Sequence, residues 1–308
     1  MWALLLSSTL LTSNAQAETQ AGPAAPTREL DEPAHRLVYQ KQWRRFELVD
    51  YLTSAALGAA YLVVHFYTEP PLEPKWTGPI LFDRPVRDAL VGGSRDARNK
   101  AGVVSDVFWY VPLLTPFVES ALVPLFSDHW NVDVAWQLTA INLQSAAVNA
   151  LLTRSGHRFV ARERPDVGPC SSDATYDDHC FGGTNASFPS GHASAAFMGA
   201  SLACVHHSNL PLYGGGAPDV AVCAATTGMA VVNGFARIVA DRHYATDVIA
   251  GAAIGALSGF AMPVLLHYGG LGDFSDFSEP HEAKAASDSM LTPVLWRQGV
   301  GAVWSGYF

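Results

Sequence analysis

Residues 220–266 read VAVCAATTGMAVVNGFARIVADRHYATDVIAGAAIGALSGFAMPVLL. Two stretches within it, 220–236 and 248–266, hold no charged residue, and the second is rich in Gly and Ala. Each reads as a helix that is apolar over most of its surface. Arg237, His243 and Asp247 lie between them or at the start of the second, so the polar chemistry sits where two apolar helices meet.

The same pattern extends upstream. Residues 51–68 carry no acid or base apart from His65. Residues 101–126 are apolar but include Asp106, Glu119 and three prolines. Residues 134–153 are uncharged yet contain several Gln and Asn, and 193–205 are short and rich in small residues. About six helical segments emerge, each near or slightly below the roughly 20 residues that cross a bilayer. Small residues at helix contacts suit packing inside a membrane, and also a tight soluble bundle. The fold class expected is all-α: a bundle of about six core helices, membrane-spanning, with its active site at one end.

Composition agrees. The chain has 308 residues, 28 acidic against 19 basic, for a formal charge of −9. Charged residues make up 15%, below the roughly 25% of an average soluble domain. Hydrophobic residues make up 49% and mean hydropathy is +0.13, which excludes a disordered or fibrous chain. An acidic chain without a basic run is a poor nucleic-acid binder. No internal repeat or heptad array is present.

Residues 1–17, MWALLLSSTLLTSNAQA, end in a small-x-small site that fits signal peptidase, although the usual positive start is missing. Residues 18–46 follow as a flexible leader, 47–267 as the helical domain and 268–308 as an unassigned tail whose last part, 294–308, alternates loosely like a strand. Residues 69–100 read as a polar loop with a short surface helix near 85–90. The spacing of Cys170 and Cys180 around a polar stretch suits a disulfide in an oxidising compartment, with two unpaired thiols as the alternative. Cys204 and Cys223 lie in apolar segments and read as buried small hydrophobes. No cysteine pair has the spacing of a structural metal site.

Polar residues gather where the apolar segments end. The groups are His157-Arg158-Phe159-Val160-Ala161-Arg162-Glu163-Arg164-Pro165, then Phe188-Pro189-Ser190-Gly191-His192, then Arg237, His243 and Asp247. Taken singly, each has a bland reading: a basic helix end anchored at lipid headgroups, an ordinary helix start, a structural histidine. Together they describe one chemistry. Guanidinium groups clamp a tetrahedral oxyanion bidentately. Ser190 offers a hydroxyl, and the N–H groups of Gly191 and His192 at a helix start attract an anion. His243 and Asp247, four apart on a helix, share a face on which the carboxylate can hold the imidazole. His192 is a second imidazole, available as general acid.

Arg164-Pro165, Ser190-Gly191-His192 and Arg237-x5-His243-x3-Asp247 resemble the three signature motifs of the type 2 phosphatidic acid phosphatase superfamily. That superfamily includes bacterial class A acid phosphatases and vanadium haloperoxidases. The resemblance covers about residues 130–266 and points to a bacterial membrane-associated member. It implies that Arg164, Ser190, Gly191 and Arg237 bind phosphate, with His157, Arg158 and Arg162 as further candidates. It implies that His243 attacks phosphorus, that Asp247 orients His243, and that His192 protonates the leaving oxygen. It implies neither metal nor other cofactor, because arginines supply the positive charge. One position departs from the pattern: His157 stands where the first motif normally begins with Lys. Ala236 likewise replaces a common Ser.

In the six-helix members of that family the motifs lie at the outer membrane surface, which implies a lipid phosphate substrate and an inner-membrane protein facing the periplasm. A cleaved signal followed by three spans would instead place the first motif inside, and the sequence leaves both topologies open. The other readings are a secreted soluble acid phosphatase, a vanadium haloperoxidase, and an inactive helical membrane protein.

Overall fold

The computed structural model describes residues 36–69, 71–128, 130–180, 185–269, 290–296 and 299–305. The chain divides into two compact units, Met1–Ala34, which lies outside the described residues, and His35–Phe308. The signal-like segment therefore falls outside the description. Of the leader expected over 18–46, residues 36–46 are described, and they are packed: Leu37, Tyr39, Trp43 and Phe46 join the main hydrophobic core.

The larger unit is helical. Its long helices are α1 (Leu48–Tyr67), α3 (Arg95–Leu122), α4 (Val132–Ser155), α6 (Gly191–Asn209), α7 (Ala217–Val239) and α8 (Ala245–Ala256). Two short ones, α2 (Asp83–Leu90) and α5 (Val167–Ser172), lie in the connections. Turns of wider π type extend α3 to Ser127, α4 to Val160 and α8 to Tyr268. The expected surface helix near 85–90 is α2, and the expected loop over 69–100 ends earlier, where Ser94 caps α3 by accepting from the Ala97 N–H. The tail contains two strands, β1 (Met290–Trp296) and β2 (Gly299–Ser305), paired antiparallel with Met290 opposite Ser305.

The six long helices alternate in direction. α1, α4 and α7 end where α3, α6 and α8 begin. At that end Arg158 donates to the His65 carbonyl, Arg237 to Ser105, and the Ser190 N–H to the Asp247 carbonyl. The opposite end is joined by short connections and by a buried polar network. There His206 bridges Tyr268 and Asn142, while His207 bridges Asp219 and Glu119.

α6 runs through the middle and is buried along most of its length. Gly251, Gly255 and Gly259 repeat every four residues on α8 and its extension. A Cβ at any of them would collide with the α6 backbone, at the carbonyl oxygens of Ser190, Ser194 and Met198. The small-residue stripe seen in the sequence is thus the face that lets two helix backbones touch. α4 turns Gln137, Asn142, Gln144, Ser145 and Asn149 inward, where the four amides hydrogen-bond to neighbouring segments. That explains an uncharged helix rich in amides. Among the described residues, four helices are long and apolar enough to cross a membrane: Leu48–Tyr67, Arg95–Ser127, Ala217–Val239 and Ala245–Tyr268.

Candidate active site

The three polar stretches of sequence meet at the end of the bundle that carries the long connections. α6 starts at Ser190, whose hydroxyl caps the helix by accepting from the Ala193 N–H at 3.4 Å. Asp247, in the first turn of α8, accepts the Ser190 N–H through its own carbonyl at 2.9 Å. These contacts seat the second motif on the third. The side chain of His157 closes the arrangement from α4, with Nε2 at 2.9 Å from the Pro189 carbonyl. Gly191 faces His157 and Thr153 across ordinary contact distance, so the α6 N-terminus lies between the first motif and the second.

His243 lies in the short connection between α7 and α8 and is 3% exposed. Its Nδ1 pairs with the Ser187 carbonyl at 2.8 Å. A carbonyl accepts only, so Nδ1 carries the proton and Nε2 is left with its lone pair. Burial pushes the pKa of His243 well below the ordinary 6.5, and the charges of Arg237 and Arg164 push it further. His243 is therefore a neutral imidazole. Arg237, Arg164 and His157 also bear electrostatically on His192, which places both imidazoles in one neighbourhood with both guanidiniums.

Arg237, near the end of α7, donates to the Ser105 hydroxyl at 3.1 Å, while its buried Nε makes no hydrogen bond. Burial lowers the pKa of Arg164, partly offset by Asp166. His192 Nε2 lies 3.1 Å from Asp106, and its ring packs on Trp109 with centroids 4.5 Å apart.

Four sequence expectations need correction. Asp247 does not hydrogen-bond His243. Its Oδ2 accepts from the Ser187 hydroxyl at 2.6 Å and from the Tyr244 N–H at 2.9 Å, so it reaches the imidazole only through Ser187. The spacing of four residues fails because His243 precedes the helix that Asp247 begins. Arg162 is no phosphate ligand: it is fully buried, donates to Asp83 at 2.7 Å and Asp247 at 2.6 Å, and lies between the rings of Trp76 and Tyr244. Arg158 turns away to the C-terminal end of α1, where it donates to the His65 carbonyl. Cys204 and Cys223 are not separate small hydrophobes; they form a disulfide between α6 and α7, where the two backbones come within 4.4 Å at Cα.

His157 stays at the site but brings no charge. Burial lowers its pKa to about 4, and Arg164, Arg154 and Arg158 act in the same direction against the opposing Pro189 hydrogen bond. The disulfide between Cys170 and Cys180 is formed, in the connection that carries the second motif.

Several site residues carry no signal in the sequence. Ser187 relays Asp247 to His243. Asp83 pairs with Arg162 and accepts from Thr246, tying α2 to the start of α8. Arg242 pairs with Asp166 and Asp177, and Arg87 with Asp241, which fixes the loops around the pocket. All depend on contacts between residues more than 50 apart, beyond the reach of any local pattern.

The end of the bundle gathers two imidazoles and two guanidiniums near a helix start, groups of the kind that bind an oxyanion. Residues 133–270, from the first turn of α4 to just past the end of α8, match the family model described as PAP2 superfamily, and that segment includes all three motifs. A lipid A 1-phosphatase from Porphyromonas gingivalis is 42% identical over 73 residues, which are 24% of this chain and 15% of that protein. The chain therefore spans a small part of that curated relative. No solved structure matches.

Proposed function

We propose that the protein is a membrane-embedded phosphatase of lipid phosphates that works through a phosphohistidine. The observation that carries this reading is the state of His243. It is buried and neutral, its Nδ1 is engaged by the Ser187 carbonyl, and two arginines stand close enough to govern its charge. That leaves Nε2 as the nucleophile. Arg164, Arg237 and the N–H groups at the start of α6 hold the phosphoryl oxygens. Nε2 attacks phosphorus, the P–O bond to the leaving group breaks, and His192 gives that oxygen a proton. A water then attacks phosphorus, its proton passes to His192, and the P–N bond breaks to release phosphate and restore both imidazoles. Asp247 holds Ser187, and through it the His243 ring.

A lipid substrate is supported by the apolar surface along the bundle. Leu52, Leu62, Val63 and Phe66 on α1, and Val103, Val107 and Leu114 on α3, are exposed. A band of this kind suits acyl chains and disfavours the soluble alternative. The relative named above acts on a lipid phosphate by its name, which agrees with this class. The disulfide at the site end favours an oxidising compartment there.

The test is phosphate release from lipid monophosphates by detergent-purified protein. Activity is expected to be sensitive to vanadate and abolished by His243→Ala. A folded His243→Ala protein that still turns over would refute the mechanism. A reporter fused near Asp178 checks the outward orientation.

A further inference from the structure

Nothing in the matched segment 133–270 accounts for the part that α3 plays at the pocket. One turn of this helix touches both functional groups that the second and third motifs bring. The Ser105 hydroxyl accepts from Arg237 at 3.1 Å, and its carbonyl accepts from Asn233 at 2.6 Å. Asp106 lies 3.1 Å from His192 Nε2 and 4.0 Å from Arg237. Trp109, one turn further along, packs on the His192 ring.

We propose that Asp106 is the positioning residue of the leaving-group acid: its carboxylate holds the His192 ring and favours the protonated ring for transfer to the departing oxygen. This inference rests on the proposed reaction. The surroundings of His192 call for such a partner. Burial, and then Arg237 from α7, Arg164 from the connection after α4 and His157 at the end of α4, push the pKa of His192 down to about 3. A negative charge beside the ring acts against such a shift. Asp106 supplies that charge from α3. A purely structural role, as a counter-ion for Arg237, fits the distances less well. Arg237 donates its hydrogen bond to Ser105, and the shorter approach of Asp106 is to His192.

The proton balance is closed. When the P–O bond breaks, the proton on His192 moves to the leaving oxygen, and the ring becomes neutral beside Asp106. When water attacks the phosphohistidine, its proton returns to His192 and the P–N bond breaks. Asp106 exchanges no proton in either step and needs no co-reactant. Its side chain is 56% exposed.

The role separates from a structural one by its dependence on the leaving group. Dodecyl phosphate departs as an alkoxide and needs a proton; p-nitrophenyl phosphate departs as a stable phenolate and needs little help. The experiment compares kcat for both substrates in detergent-purified wild type, Asp106→Asn, Asp106→Glu, His192→Ala and His243→Ala. Asp106→Asn is expected to lose roughly 10- to 100-fold more activity on dodecyl phosphate than on p-nitrophenyl phosphate. His192→Ala should show the same split, and Asp106→Glu should recover part of it. Equal losses on both substrates, or no loss on either, would overturn the inference while an inactive His243→Ala protein left the proposed reaction standing. If His243→Ala keeps activity, the reaction itself fails, and with it this role for Asp106.

Discussion

Replacing Arg162 with Met separates a structural arginine from a phosphate ligand. Arg162 lies inside the protein, its side chain wholly screened from solvent, paired on one side with Asp83 and on the other with Asp247. Methionine fills much of the same volume between Trp76 and Tyr244 but removes the charge. Two buried carboxylates then face each other without a cation. Breaking a buried ion pair in this way costs about 3–5 kcal/mol. At about 2–4 °C per kcal/mol for a chain of this order, the melting temperature should fall by roughly 6–20 °C. The inhibition constant of inorganic phosphate should stay within about twofold, because no guanidinium leaves the pocket itself. Turnover should fall, since Asp247 loses one of the partners that hold it against Ser187. Thermal unfolding in detergent and phosphate inhibition read the two effects apart. A second change, Asp83→Asn, should restore part of the lost stability by removing one of the stranded charges. Unchanged melting with phosphate binding weakened tenfold would refute this reasoning and put Arg162 in the pocket.

Three further outcomes follow from the geometry. His243 is held neutral by burial and by the positive charges of Arg237 and Arg164, so the acidic limb of kcat/KM should lie below the ordinary histidine range. Removing one of those charges, as in Arg164→Gln, should move that limb to higher pH; a limb that stays in place would show that another group controls it. His157→Lys should put a positive charge beside the α6 N-terminus, where the present ring is neutral. Vanadate should then inhibit at several-fold lower concentration, and an unchanged inhibition constant would mean that this position does not reach the anion. The disulfide Cys170–Cys180 closes a sequence separation of 10 residues, which corresponds to about 2.7 kcal/mol of stabilisation in the chain-entropy account. Cys170→Ser with Cys180→Ser should lower the unfolding midpoint accordingly, and an unmoved midpoint would show that the bridge adds nothing.

The bundle was legible because its signals are local. Charge-free segments of helical length, a glycine every four residues in 251–259, and polar clusters at segment ends are all visible in a short window. The three motifs were legible because each is short and their order along the chain is fixed. What could not be read was the use of charge across the chain. Arg158, Arg162 and Arg164 stand within seven residues of one another, yet one reaches α1, one binds two carboxylates and one acts on His243. Their side chains diverge because the wider π turn over Gly156–Val160 and the extended segment after it break the helical phase. The bond expected between His243 and Asp247 failed for a similar reason. The helix begins at Ala245, so the spacing of four does not place the pair on one face.

That last difference changes how the nucleophile is controlled. A carboxylate bonded directly to the imidazole would raise its affinity for a proton and make the ring a stronger base. Here the Nδ1 partner is a neutral carbonyl, and the carboxylate acts one residue removed, on the hydroxyl of the same Ser187. The ring is thus aimed without being charged. Its proton affinity is kept low by burial and, beyond that, by the two guanidiniums. In the proposed reaction a bound phosphoryl group would carry the opposite charge and cancel much of the guanidiniums' influence. The imidazole would then gain basicity as phosphorus lies before it, and the positive charge developing on the ring during attack would meet the anion instead of two bare arginines. Binding the substrate and activating the nucleophile would be one electrostatic change in that reaction, with a serine between the acid and the ring.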